Sequence, residues 1–170
     1  MPEELSCENF NRKMTQYPKY KVTNSQELDV IEFISVGKNG NIRKAIHIQA
    51  THNPIVFNLG FGDMVKRIKN GEIVFELDDS VNSENGDRDK VLATVAGAAY
   101  NYTAKYPERW VIFEGIDAIR TRLYRMAITK NYAELSKDFF IFGVIFENGD
   151  PVLHKFDSNT RFDGFIVKRK

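Results

Sequence analysis

The sequence predicts an α+β fold: a mixed, mainly antiparallel sheet with two main helices, 88–106 and 117–130, packed on one face. Three observations predict it. Residues 30–50 alternate apolar and polar around Gly37-Lys38-Asn39-Gly40, the pattern of a β-hairpin. At residue 88 the apolar period changes to that of a helix. Short apolar runs at 110–114 and 139–146 then flank a second helical stretch, and helices gathered late in a chain against an early antiparallel sheet indicate α+β.

The elements follow in order. Residues 1–18 form a polar N-terminal arm, with Phe10, Met14 and Tyr17 able to pin it, and residues 19–170 form a single domain. Val30–Val36 is rich in β-formers, and Gly37, Asn39 and Gly40 accept the positive φ of a turn. In the return strand 41–50, Ile42, Ile46 and Ile48 share one face, while Arg43, Ala45, His47 and Gln49 share the other. A third strand, 55–60, follows the turn at Asn53-Pro54. Met64–Lys69 reads as one or two helical turns and Ile73–Leu77 as a short strand. Asp78 to Asp87 reads as an acidic surface loop.

Helix 88–106 presents Val91, Leu92, Val95, Ala98, Ala99 and Tyr102 as its stripe. Asp87 and Asp89 complement the dipole at its start, and Pro107 closes it. Trp110–Glu114 is a buried strand and Gly115 a turn. In helix 117–130, Ile116, Ile119, Leu123, Met126 and Ala127 form the apolar stripe. A strong strand at 139–146, a turn at 147–151 and two short strands at 152–156 and 162–168 complete the chain. The passage from strand 55–60 through the first helix to strand 110–114 is a candidate right-handed parallel crossover.

Composition excludes several function classes. Cys7 is the only cysteine in 170 residues, so neither an intrachain disulfide framework nor a cysteine zinc cluster can form. Lys plus Arg total 24 and Asp plus Glu 23; a net charge of +1 points to no polyanion by itself. The first residues lack the basic and apolar regions of a secretory signal, and no apolar run approaches membrane-spanning length. A cytoplasmic protein with no membrane partner is the expectation.

The candidate chemistry centres on Arg120-Thr121-Arg122-Leu123-Tyr124-Arg125. Arg122 and Arg125 lie on one flank of the helical stripe, Arg120 and Tyr124 on the other. Three guanidiniums within two turns repel unless an anion sits nearby, and arginine forks match phosphate or carboxylate. Two readings stay open: an anion or partner site, or structural pairing with Glu114, Asp117, Glu134 or the acidic loop. Arg43 and His47 add a polar strand face as a candidate binding floor. Asp78, Asp79, Asp87 and Asp89 are weak candidates for Mg²⁺ or Ca²⁺, because their spacing matches no EF-hand loop; no metal site and no cofactor is expected. His47, His52 and His154 occur in no HxxxH or HExxH pattern, and GxSxG is absent.

Three segments carry a family likeness: Phe57-Asn58-Leu59-Gly60-Phe61-Gly62-Asp63, Asn85-Gly86-Asp87 with Val91-Leu92-Ala93-Thr94-Val95, and the Arg120–Arg125 run. Over about residues 20–168 the chain resembles the small bacterial proteins, frequent in Bacteroidetes, grouped as domain of unknown function 6934. The resemblance implies a bacterial, cytoplasmic setting and no established activity. Members often carry Gly-Ser-Thr where this chain has Gly115-Ile116-Asp117, and an aspartate there opposes an anion. The order of elements is also similar to the GNAT acetyltransferase superfamily. There the pyrophosphate of acetyl-CoA rests on the start of the central helix through an Arg/Gln-x-x-Gly-x-Gly/Ala loop. The equivalent stretch here, Glu84-Asn85-Gly86-Asp87-Arg88-Asp89, lacks that motif and carries carboxylates that oppose a pyrophosphate.

The functional expectation is a binding or interaction protein. It would recognise an anionic ligand, a nucleic acid or an acidic protein partner through Arg120, Arg122, Tyr124 and Arg125 with Arg43 and His47. The family's character adds a toxin–antitoxin or phage-defence component as an expectation. Whether it is an enzyme stays open: the alternative is a metal-dependent nuclease-like or degenerate acetyltransferase-like enzyme. A homo-oligomer, joined through aromatics such as Phe139, Phe140, Phe142 and Phe146, is a third alternative.

Overall fold

The computed structural model describes residues 18–170; Cys7, Phe10, Met14 and Tyr17, and the arm expected around them, lie outside the described residues. A two-residue strand, β1 (Thr23–Asn24), pairs with β2 (Val30–Gly37), which turns into β3 (Gly40–Ala50). The hairpin sets Val30 opposite His47 and Gly37 opposite Gly40. Alternate side chains leave opposite faces of a strand. Ile31, Phe33, Ile46 and Ile48 are therefore buried on one face, and Ile34, Arg43 and His47 take the other.

β4 (Val56–Lys69) is much longer than the expected strand 55–60, and Met64–Lys69 is strand where helical turns were expected. The reason is a hairpin. Asn70 and Gly71, at φ 51° and 80°, form the left-handed two-residue turn that the Asn-Gly pair favours. The chain returns as β5 (Glu72–Asp78), pairing Met64 with Leu77 and Lys69 with Glu72. Local preference over 64–69 is ambiguous, and the pairing decides it.

α1 (Arg88–Lys105) leads to β6 (Trp110–Glu114), which lies parallel to the start of β4 as the crossover reading expects. α2 (Ala118–Asp138) runs eight residues past the expected end at 130. Residues 131–138 contain no helix breaker, and Leu135 continues the buried side against an aromatic cluster. β7 (Phe139–Glu147), β8 (Asp150–Lys155) and β9 (Gly164–Arg169) close the chain. β9 inserts between β6 and β7, antiparallel to both. The sheet order is β1-β2-β3-β4-β6-β9-β7-β8, with β5 on β4. The fold is α+β with a mixed, mainly antiparallel sheet.

Both helices pack on one face. Val91, Ala98 and Tyr102 of α1 cover Ile31, Phe33, Ile46, Ile48, Leu59 and Val111. Under α2, Ile128 meets Phe139, Ile141, Phe162 and Phe165, with Tyr124 and Leu135 partly buried beside them. The expected stripe of α2 is not the seated one: Ile116, Ile119 and Met126 are exposed, Ile119 at 74%. Thr121, Tyr124, Ile128 and Leu135 face the sheet instead. Ile119, Leu123 and Ala127 look sideways across an open cleft toward α1. No helix among the described residues is long and apolar enough to cross a membrane.

Candidate functional site

The cleft between α1 and α2 follows from the strand pattern. β4 pairs with β6 only from Val56 to Asn58. On that side β4 next finds a partner at Asp63, which meets Asp78 of β5. Among the described residues no strand pairs with 59–62 there, so the sheet parts beneath the two helices. The hollow above the gap has a volume of about 1350 Å³. Its walls are apolar: Leu92, Val95 and Ala99 from α1, Ile119, Leu123 and Ala127 from α2.

Polar groups also line the hollow. Tyr124 reaches in from α2, its ring between Phe61 and Phe113 at centroid distances of 5.9 and 6.0 Å. No hydrogen bond to its hydroxyl is formed among the described residues. Burial pushes the phenol up to about 12, with Arg120 drawing it down and Asp79 and Asp117 raising it, so it is a neutral donor at pH 7. Glu114 lines the same cleft. Burial, and then the nearby Asp163 carboxylate, raise its carboxyl above the ordinary range.

The loop 79–87 forms another wall and is more than a solvated acidic turn. Asn85 is buried; its side-chain amide donates to Ser35 Oγ at 2.9 Å and to the Gly40 carbonyl at 3.0 Å. Lys44 is only 8% exposed; its Nζ donates to Asp63 and, at 3.0 Å, to Ser83 Oγ. Asp87 stands at the N-cap of α1 but makes no side-chain capping bond. Its Oδ2 instead accepts from Ser35 Oγ at 2.5 Å and Tyr20 Oη at 2.6 Å.

The residues singled out from the sequence do not form one surface. Arg120 is half-buried at the lip of the cleft and clasps the loop backbone, donating to the carbonyls of Asp79 and, at 3.1 Å, Val81. Arg125 donates to the Thr160 carbonyl at 2.8 Å. Arg122 is exposed and makes no hydrogen bond or ion pair among the described residues. Arg43 and His47 lie on the opposite face of the sheet, because odd positions of β3 point away from the helices. There Arg43 pairs with Glu32 at 3.0 Å and stacks over Phe75. Arg120 thus meets backbone carbonyls of the acidic loop, Arg125 another carbonyl and Arg43 Glu32, and none of them meets the carboxylates of Glu114, Asp117 or Glu134.

The acidic residues also separate. Asp78 accepts from Ser80 and pairs with Arg67 at 2.8 Å, and the Ser80 bonds hold its carboxyl below the ordinary range. Asp87 is spent on Ser35 and Tyr20, and Asp89 is exposed in the first turn of α1. Among the described residues no three metal-ligating side chains converge.

Sequence reasoning passed over Lys44 and Arg109, and met Glu114 only as a partner for the arginines and Asp63 only within the family likeness. Lys44 carried a signal: it shares the parity of Ile42, Ile46 and Ile48, and a lysine on an apolar face needs a partner. Nothing local marks the others.

The profile of the family of unknown function DUF6934 matches residues 16–170, nearly the whole chain. The chain belongs to this family. In this DUF6934 protein part of each segment of the likeness lines the cleft: Leu59–Gly62 on the parted strand, Asn85–Asp87 with Val91, Leu92 and Val95 at the start of α1, and Arg120, Leu123 and Tyr124 on α2. No curated protein and no solved structure matches the chain.

Proposed function

We propose that this DUF6934 protein binds a small, elongated ligand in the cleft between α1 and α2. The ligand has an apolar body that lies along Leu92, Val95, Leu123 and Ala127. It has an oxygen acceptor, carboxylate or carbonyl, at the end where Tyr124 and Arg120 stand. One observation carries the reading: a neutral phenol without a partner among the described residues opens into an apolar hollow beneath which the sheet has parted. Buried or half-buried hydroxyls ordinarily find partners, so a free donor in a concave apolar site is suited to a ligand acceptor. A small ligand is favoured over nucleic acid because Arg120 and Arg125 are already engaged and Arg43 faces the other way. These three arginines therefore form no common stripe that could follow a phosphate backbone.

Thermal shift and calorimetry with decanoate, acetyl-CoA and a short single-stranded RNA test the proposal. Decanoate at about 100 times its Kd stabilises the fold by about 2.7 kcal/mol, and Tyr124→Phe weakens that binding about ten-fold. Binding of RNA alone, or of an apolar ligand with full strength by Tyr124→Phe, overturns it.

A second reading, acyl transfer, is favoured by the strand arrangement. Parallel β4 and β6 part under a crossover helix and β9 inserts antiparallel beside β6. This order is similar to that of the GNAT superfamily. In that reading Tyr124 gives a proton to the leaving group and Glu114 accepts one from the nucleophile. The carboxylates of 84–89 stand against a pyrophosphate at the start of α1. Release of free thiol from acetyl-CoA in the presence of amines, lost in Tyr124→Phe, is the measurement that favours it.

A further inference from the structure

We infer that a second pocket, at the C-terminal end of α1 and apart from the cleft, binds a small zwitterion of the α-amino-acid class. The pocket has a volume of about 510 Å³, within the range of small-molecule sites. Arg109 stands in it as a clamped fork. Its guanidinium carbon lies 3.9 Å from the ring centre of Tyr106 and 4.2 Å from that of Phe57, and Nη1 donates to Tyr102 Oη at 2.8 Å. Its one ion-pair neighbour among the described residues is exposed Glu108, 3.7 Å from Nε and too far for a hydrogen bond. Most of the five donors of this guanidinium are therefore unspent.

Asp29 lines the same pocket. Its Oδ1 accepts from Ser25 Oγ at 2.6 Å, and its other oxygen accepts nothing among the described residues. No ion pair joins Asp29 to Arg109. Glu27, the other acid of the pocket, is engaged by Lys105 and Tyr106. Between the two acids Leu28 is held at φ 58°, a left-handed conformation that a bulky residue adopts only under constraint; such strain gathers at binding sites.

Opposite charges that face one hollow without meeting are both satisfied by a ligand carrying the complementary pair. Its carboxylate takes the Arg109 fork and its ammonium takes Asp29, while Ile48 and Ala50 leave an apolar wall for a side chain. A simple anion would meet Asp29 and a simple cation would meet Arg109, so each alone is disfavoured.

The test is a ¹⁵N NMR titration of the full chain with each apolar L-amino acid. The strongest binder is then compared with its decarboxylated amine and its deaminated acid. Saturable shifts of the amides of 29, 49, 57 and 109 and of Arg109 Nε–H are expected with the amino acid, and binding at least about ten-fold weaker with either analogue. Asp29→Asn and Arg109→Lys, checked for folding by melting, each lose a similar factor. Absence of saturation with every amino acid, or an analogue that binds as well as its parent, overturns the proposal, and the wild-type comparison decides even if a variant unfolds.

Discussion

Tyr20 Oη donates to Asp87 Oδ2 at 2.6 Å across 67 residues of sequence, tying the chain before β2 to the N-cap of α1. The same hydroxyl accepts from the Val36 N–H at 2.9 Å, so one side chain also covers the outer edge of β2. Tyr20→Phe removes a hydrogen bond to a charged group and should cost about 1.5–3 kcal/mol by chemical denaturation.

The pH dependence of this link has a definite sign. Burial pushes the Asp87 carboxyl up, but the hydrogen bonds from Ser35 and Tyr20 outweigh it and hold the group below its ordinary value of 3.8. A depressed folded-state value means that the contribution is present above the unfolded value and is lost as pH falls through the folded one. Acid unfolding followed by circular dichroism should therefore show a shallower loss below pH 3.8 for Asp87→Asn than for the wild type.

Lys44 and Asp63 form an ion pair with side chains only 10% and 6% exposed. Removing one partner leaves a buried charge, so Asp63→Ala should destabilise by about 3–5 kcal/mol. The double variant Lys44→Met/Asp63→Leu should recover most of that loss, because it buries no unpaired charge. A double-mutant cycle in urea measures both.

Gly143 on β7 lies under the ring of Phe162, which is 4% exposed, and a Cβ there would overlap the ring. Gly143→Ala should cost about 1–3 kcal/mol through overpacking, and adding Phe162→Leu should restore part of it. Melting temperatures of the two variants provide the check.

Tyr124→Phe separates binding from folding. The hydroxyl has no partner among the described residues, so its loss should change stability by less than about 1 kcal/mol. Because burial raises the phenol from 10.0 to about 12, the folded state holds its proton longer than the unfolded chain. Its contribution is complete below pH 10.0 and disappears as pH rises to about 12. Alkaline titration of phenolate absorbance should lose a late component in Tyr124→Phe, and the alkaline limb of stability should flatten.

The amino-acid sequence by itself determined the hairpin of β2 and β3, both helices, the parallel crossover, and the family to which the chain belongs. Each is written in local periodicity, turn residues or contiguous motifs. It also carried the Asn70-Gly71 signal that makes Met64–Lys69 a strand, although the helical reading of 64–69 passed it over. Only the tertiary structure decided that Ile119, Leu123 and Ala127 of α2 face α1 across a cleft, that β9 enters between β6 and β7, and that Arg43 and His47 lie on the far side of the sheet from Tyr124. Those outcomes depend on strand order and on where two parallel strands part. Such relations join residues tens of positions apart, and local patterning cannot encode them because the same stripe can seat on a sheet or on a bound molecule.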